Sequence, residues 1–416
     1  MIDLRTGHPR RLPHRALASA CRGAAARLDT ASEDSFPLQY EPSCFGTPRF
    51  VHALAQFLSE AHGVRIFENN LMATNGVSHG VDLCVSAMST PGDLVLVEEP
   101  TYFLVRQIFL DHNLEVHGVR GDADGLDTAE LERLLASGKM RPPRLVYVVP
   151  SHGNPSGISL SPSRRAHLVR LALRYDFLIL SDDVYELLGW AEPTPRLIEY
   201  DPKYKQQLAA AGAEPSLSSA PSEPADVYAY PAAAQPKQHE VDVGVVVSIG
   251  SFTKILAPGL RLGWLEASPA LLQQIRARGY VVSGGGMAPF TGEIVAELLV
   301  NGEQMRHIRQ LREDLEAGCT ALCNELQAAG CFEFTRPQGG YFCWVRLPDP
   351  IQATALRPKA EQRGMVFLPG PICTPTANPL SYESYVRLCF AYCNVEDIAE
   401  GVRRLSACVR SEQVGA

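Results

Sequence analysis

The chain has 416 residues, 46% of them hydrophobic and 20% charged, with a net charge of −8 and a pI of about 5.8. That is globular composition with length for two or more domains, and without a long basic run it argues against nucleic acid or an anionic membrane surface as main partner. No stretch of about 18 uncharged apolar residues occurs, so no transmembrane helix is expected.

The N-terminus, "MIDLRTGHPRRLPHRALASACRGAAARL", is arginine-rich and lacks a signal peptide's apolar core. It reads as an arm and first helix, with a mitochondrial presequence as the alternative and the cytoplasm as the default location. The runs "DLVLVEEP" (93–100), "LVYVVPS" (145–151), "FLILSDD" (177–183) and "VGVVVSIGS" (243–251) are rich in Val, Ile and Leu without alternation. That pattern predicts parallel strands covered on both faces. Between them "LDTAELERLLAS" and "SPSRRAHLVRLALRY" predict helices capped by Asp127 and Ser161. Strand alternating with helix implies an α/β fold on a mainly parallel sheet.

Residues 199–240 are rich in Ala, Pro and Ser, with little to fill a core, and read as a long, mobile surface insertion. Past residue 300, "EQMRHIRQLREDLEAGCTALCNELQAAG" predicts one long amphipathic helix. The strands "GGYFCWVRLP" and "YVRLCFAY" follow, so a smaller α+β domain is expected. The division predicted is an arm at 1–30 joining the small domain, a large domain at 31–300 and the small domain at 301–416. The eleven cysteines form no CxxC and no zinc set, so no metal is expected and most should be small core residues.

In open α/β sheets, ligands bind at the carboxyl ends of the strands, so the polar residues there belong together. They are Asn154 in "SHGNPSG", Asp182 and Tyr185 in "SDDVYELL", Ser251 and Lys254 in "SFTK", and Tyr102 in "EEPTY". Upstream, "TNGVSHG" sets Gly76, Val77, Ser78 and His79 at a helix start. Each has a bland reading as turn, cap, core residue or surface lysine. Together they suit one ligand. A helix N-terminus with Ser78, Ser251 and the fork of Arg261 suits a phosphate. Asp182 can keep a ring nitrogen protonated, and Tyr185 and Asn154 can bond a phenolic oxygen. Tyr102 can cover a ring face, and Lys254, desolvated at the end of a buried strand, can form a Schiff base with an aldehyde. Those four groups are the polar parts of pyridoxal 5'-phosphate.

The chain resembles the class I/II aminotransferases of the fold-type I pyridoxal-phosphate enzymes. "SFTKILAPGLRLGW" matches that family's lysine signature. "GNPSG", "SDDVYELL", "EEPTY", "YVRLCFA", "LQYEPSCFGTPRF" and "RPQGGYFCWVRLP" follow its other motifs, within a resemblance that runs from about Gly7 to Asn394. "IDLRTGHPRRLP" and "SGGGMAP" look closest to the aminoadipate and aromatic aminotransferase branch. The resemblance implies a fold-type I architecture, ping-pong amino transfer from an amino acid to a 2-oxo acid, and a homodimer. It makes Arg387 the residue for the substrate carboxylate, with Gly7 and Asn154 beside it, and sends Tyr40 to the partner subunit's phosphate. Three features depart from the pattern: "GTPRFVHAL" lacks the usual Leu-Arg, His79 stands where glutamine is common, and the 199–240 insertion is long. A carbon–sulfur lyase, decarboxylase or cyclase of the same family would share these motifs. A serine hydrolase built on Ser251-x-x-Lys254 is disfavoured, since Pro258-Gly259 would break its helix. A regulatory role is disfavoured too, because no DNA-binding module or basic patch is present.

Overall fold

A computed structural model describes residues 1–29, 38–40, 43–212, 243–284, 289–375 and 382–415. The main sheet has eight strands: β1 (Leu71–Thr74), β2 (Leu94–Glu99), β3 (Glu115–Asp122), β4 (Gly125–Leu126), β5 (Leu145–Val148), β6 (Leu178–Asp182), β7 (Val246–Ser251) and β8 (Gly263–Glu266). Their order across the sheet is β1-β8-β7-β6-β5-β2-β3-β4. From β3 through β2, β5 and β6 to β7 neighbours run parallel. β8 is antiparallel to both β7 and β1, and β4 to β3. The four apolar runs read as strands are β2, β5, β6 and β7.

Those strands read as continuous apolar runs because both faces are covered. Along β2, Val95 and Val97 join one buried cluster, while Leu94 and Leu96 join another on the opposite face. Helices cover the two faces. Asp127 caps the helix Thr128–Ala136 by accepting the amides of Ala129 and Glu130, both at 3.0 Å. Ser161 does not make the cap bond expected of it. Its hydroxyl lies 3.2 Å from that of Ser163, and Pro162, pre-set in φ, opens the helix instead.

A second, antiparallel sheet holds β9 (Glu333–Phe334), β10 (Phe342–Arg346), β11 (Leu368–Pro369) and β12 (Tyr385–Cys389), ordered β9-β10-β12-β11. The predicted long helix runs Glu303–Ala329 and packs against the helix Val395–Gly415. The chain start reaches this region. Ile2–Asp3 pairs in parallel with Met365–Val366, and Cys389 donates its amide to the Leu4 carbonyl.

The segment read as a surface insertion begins differently from expectation. Leu197–Tyr200 forms a 3-10 turn and Pro202–Gly212 a helix. Tyr204 is buried and donates to Glu266 at 2.7 Å, and the Asp201 carboxylate accepts the amides of Val245 and Val246. Alanine and glutamine favour a helix here, and one tyrosine anchors it. Residues 213–242 lie outside the described residues.

Candidate active site

β5, β6 and β7 all point their carboxyl ends at one cavity of about 250 Å³. It is lined by Val77, Ser78, Tyr102, Val149, Asn154, Asp182, Val184, Tyr185, Thr253, Lys254 and Arg261. The sheet topology accounts for this. Parallel neighbours end on the same side, and the segments following them supply the polar groups.

Lys254 lies on a single helical turn, Phe252–Ile255, directly after β7. Its ammonium nitrogen donates to the Gly7 carbonyl at 2.5 Å and lies 5.9 and 5.6 Å from the ring centres of Tyr185 and Tyr341. The Tyr341 hydroxyl donates to the Lys254 carbonyl at 2.6 Å, which holds the turn. Burial pulls the Lys254 amine down to about 8, with the Arg387 charge acting in the same direction and Asp182 opposing.

Asp182 ends β6 in full burial. Its Oδ2 accepts from the Tyr147 hydroxyl at 2.6 Å, whereas its Oδ1 is buried without a partner among the described residues. Burial raises this carboxyl to about 6 against the opposing bond from Tyr147. Asp183 turns away. It accepts from the hydroxyls of Ser181 (2.8 Å) and Ser248, both on the strands themselves. Only the first of the paired aspartates therefore faces the cavity.

Arg387, on β12, is 5% exposed. Its Nη1 donates to Asn154 Oδ1 at 2.9 Å and its Nη2 to the Arg5 carbonyl at 2.7 Å, and the guanidinium lies 4.0 Å above the Phe342 ring. Its Nε is buried with no partner among the described residues. A buried guanidinium held by neutral groups is ready for a carboxylate. Gly7 belongs to the same corner: a Cβ there would lie 2.7 Å from Phe342 Cζ.

At the other end of the cavity, the helix Val77–Met88 presents its N-terminus. Gly76 precedes it with φ 81°, and a Cβ there would stand 2.9 Å from Arg261 Nη2. Only glycine both adopts that backbone and lets the guanidinium approach. Arg261 donates to the carbonyls of Pro258 (3.2 Å) and Asn75 (3.3 Å). The Pro258-Gly259 turn thus returns Arg261 toward the helix, as the spacing suggested.

Three of the anticipated residues are placed differently. The Ser251 hydroxyl accepts the Thr253 amide and donates to the Thr253 hydroxyl at 2.9 Å, so it is used up as a helix cap, and Thr253 lines the cavity instead. His79 does not line it, and its ring bonds the Asn75 amide. Tyr40 is 77% exposed and does not line the cavity of its own chain. Tyr147 was missed, although a hydroxyl in the otherwise aliphatic run "LVYVV" is a signal.

A sequence model of the family "Aminotransferase class I and II" matches residues 1–405. The chain belongs to the class I and II aminotransferases. It is a pyridoxal-phosphate-dependent aminotransferase of fold type I. It is 27% identical over 384 residues to aromatic-amino-acid aminotransferase 1 of Thermococcus litoralis, covering 90% of this chain and 80% of that one. It is 30% identical over 394 residues to the 2-aminoadipate transaminase of Thermus thermophilus, covering 93% and 85%. The structure of the α-aminoadipate aminotransferase LysN from Thermus thermophilus, complexed with N-(5'-phosphopyridoxyl)-L-leucine, superposes with a TM-score of 0.77 at 25% identity, covering 100% of this chain and 94% of that one. The cavity of this aminotransferase offers what its cofactor's polar groups require. It holds an amine, a carboxylate oxygen with no partner among the described residues, a glycine-opened arginine and a helix N-terminus.

Proposed function

We propose that this aminotransferase moves the amino group of 2-aminoadipate, aromatic or a broader set of amino acids to a 2-oxo acid such as 2-oxoglutarate. The observation that carries this reading is the convergence of Lys254, Asp182 and Asn154 on one cavity, with Arg387 bonded to Asn154. The relatives named for aromatic and aminoadipate substrates support the substrate class.

Pyridoxal phosphate, when bound, supplies an electron sink and a carrier for the amino group. Lys254 would be the amine that holds the cofactor's aldehyde, and as a free amine it would move the proton at the substrate α-carbon. Asp182 Oδ1 would keep the pyridine nitrogen protonated. Asn154 and Tyr185 would bond the phenolic oxygen, and Tyr102 would cover the ring. Val77, Ser78, Thr253 and Arg261 would hold the phosphate, with Ser251 supporting them as the cap beneath Thr253. Arg387 takes the substrate α-carboxylate as a forked pair, which releases part of its hold on Asn154 and the Arg5 carbonyl, while Gly7 lies beside it on the same arm. Tyr40, outside its own cavity, would complete the phosphate site of a second copy, so the working unit is a homodimer. The arm at 1–30, a large domain at 31–300 and a small domain at 301–416 complete the reading, with the cytoplasm as its place. Among the described residues no helix is long and apolar enough to cross a membrane.

The test is to incubate the holoenzyme with 2-oxoglutarate and single amino acids and to identify both products. Glutamate together with an oxo acid of unchanged carbon skeleton is expected. Loss of carbon dioxide or of a side-chain fragment without glutamate would replace transamination with another reaction of the family.

The lowered Lys254 amine gives a pH prediction. Only the neutral amine adds to an aldehyde, and with its value near 8 the neutral fraction falls about tenfold for each unit below that. Capture of pyridoxal phosphate by the cofactor-free protein should therefore speed up with rising pH until about 8 and then level off. The rise in visible absorbance after mixing checks this. A rate that keeps climbing to pH 10 would place the amine at its ordinary value.

A further inference from the structure

His79 is not spent on the cavity, yet it is tied to the cavity's arginine. Its Nδ1 accepts the Asn75 amide at 3.1 Å. The Asn75 carbonyl, on the other side of the same residue, accepts Arg261 Nη2 at 3.3 Å. Asn75 is thus gripped between an imidazole and a guanidinium, immediately before Gly76 and the helix N-terminus. Because Nδ1 is the acceptor, the proton of the neutral ring sits on Nε2. That atom is buried with no partner among the described residues, and the ring meets Tyr280 edge-on with centroids 5.6 Å apart. The charged or titratable groups facing His79 are Asp82 on its own helix, itself 2.8 Å from His112, Tyr280 from the helix Gly279–Gly284, and Arg261 across Asn75.

We propose that His79 is a positioning residue for the phosphate-binding end of the site: in its neutral form it fixes Asn75 and through it aims Arg261. This rests on the reading of that end as the phosphate site. Protonation puts a second donor on Nδ1, opposite the Asn75 amide, and two donors repel. The Asn75–Gly76 turn then shifts and takes the Arg261 acceptor with it. Burial lowers the imidazole from its usual value, so the neutral, gripping form prevails at neutral pH and is lost only as pH falls. Glutamine can replace the acceptor without titrating, whereas leucine cannot replace it.

The test compares the cofactor-free wild type with His79→Gln and His79→Leu by titration with pyridoxal phosphate and with pyridoxal, which lacks the phosphate, between pH 5 and pH 8. The phosphate titrates in this range too, so the reading is the ratio of variant to wild type. At pH 8, His79→Leu should bind pyridoxal phosphate about tenfold more weakly with pyridoxal binding unchanged, the size expected for one lost hydrogen bond. His79→Gln should stay within about twofold of wild type at pH 8 and bind better than wild type at the acid end. Variants that all bind like wild type would overturn the proposal. Equal losses for both ligands, or an acid decline in His79→Gln identical to that of wild type, would overturn it too. A wild type that does not hold pyridoxal phosphate at all would overturn the functional reading itself, and this inference with it.

Discussion

Lys254→Ala is expected to lower kcat by about 10⁴-fold or more, because in the proposed mechanism it removes both the amine offered to the cofactor and the group that moves the α-proton, each normally a large contribution. The side chain carries little of the fold. Its nitrogen has one hydrogen-bond partner among the described residues, the Gly7 carbonyl, while the local turn is held through backbone by Tyr341. The variant should therefore fold, with a circular dichroism spectrum like that of wild type, and should still bind pyridoxal phosphate through the unchanged phosphate end. Steady-state assay with the best amino donor checks the rate. Turnover within tenfold of wild type would remove Lys254 from the chemistry.

Asp182→Asn is expected to lower kcat by about 10²–10³-fold, the size found when one placed electrostatic partner is lost from an active site. An asparagine keeps the shape and can still accept from Tyr147, but it cannot hold the pyridine proton. The neighbouring Asp183→Asn provides the contrast. Asp183 accepts from Ser181 and Ser248 inside the sheet, so its loss should appear as a lower melting temperature, about 1–2 kcal/mol of stability, with kcat near wild type. Assay and thermal melt on both variants check the pair. A reversed pattern would mean that the second aspartate is the one at the site.

That contrast also marks how far the residues alone could be read. The strands were legible because β2, β5, β6 and β7 are rich in Val, Ile and Leu without alternation, the pattern a doubly covered parallel sheet produces. The convergence of Asn154, Asp182, Lys254 and Arg261 followed from the rule that such sheets bind at their carboxyl ends. Which of two adjacent polar residues faces the cavity was not legible. Asp182 and Asp183, or Ser251 and Thr253, differ by the direction in which a strand or helical turn releases each side chain, and this depends on the exact end of the element. The Asn154–Arg387 bond joins residues 233 apart, and no local pattern records that. Tyr204 was hidden in an alanine-rich stretch because one buried ring among small residues leaves composition almost unchanged. The role of His79 depends on which backbone amide its ring meets, which only coordinates reveal.

Lys254 is proposed as the residue that holds the cofactor. Reducing the purified protein with borohydride in the presence of pyridoxal phosphate, digesting it and sequencing the labelled peptide by mass spectrometry tests this directly. The phosphopyridoxyl group is expected on the peptide containing Lys254, with labelling abolished in Lys254→Ala. A label carried stoichiometrically by another lysine, with Lys254 unmodified, would contradict the account.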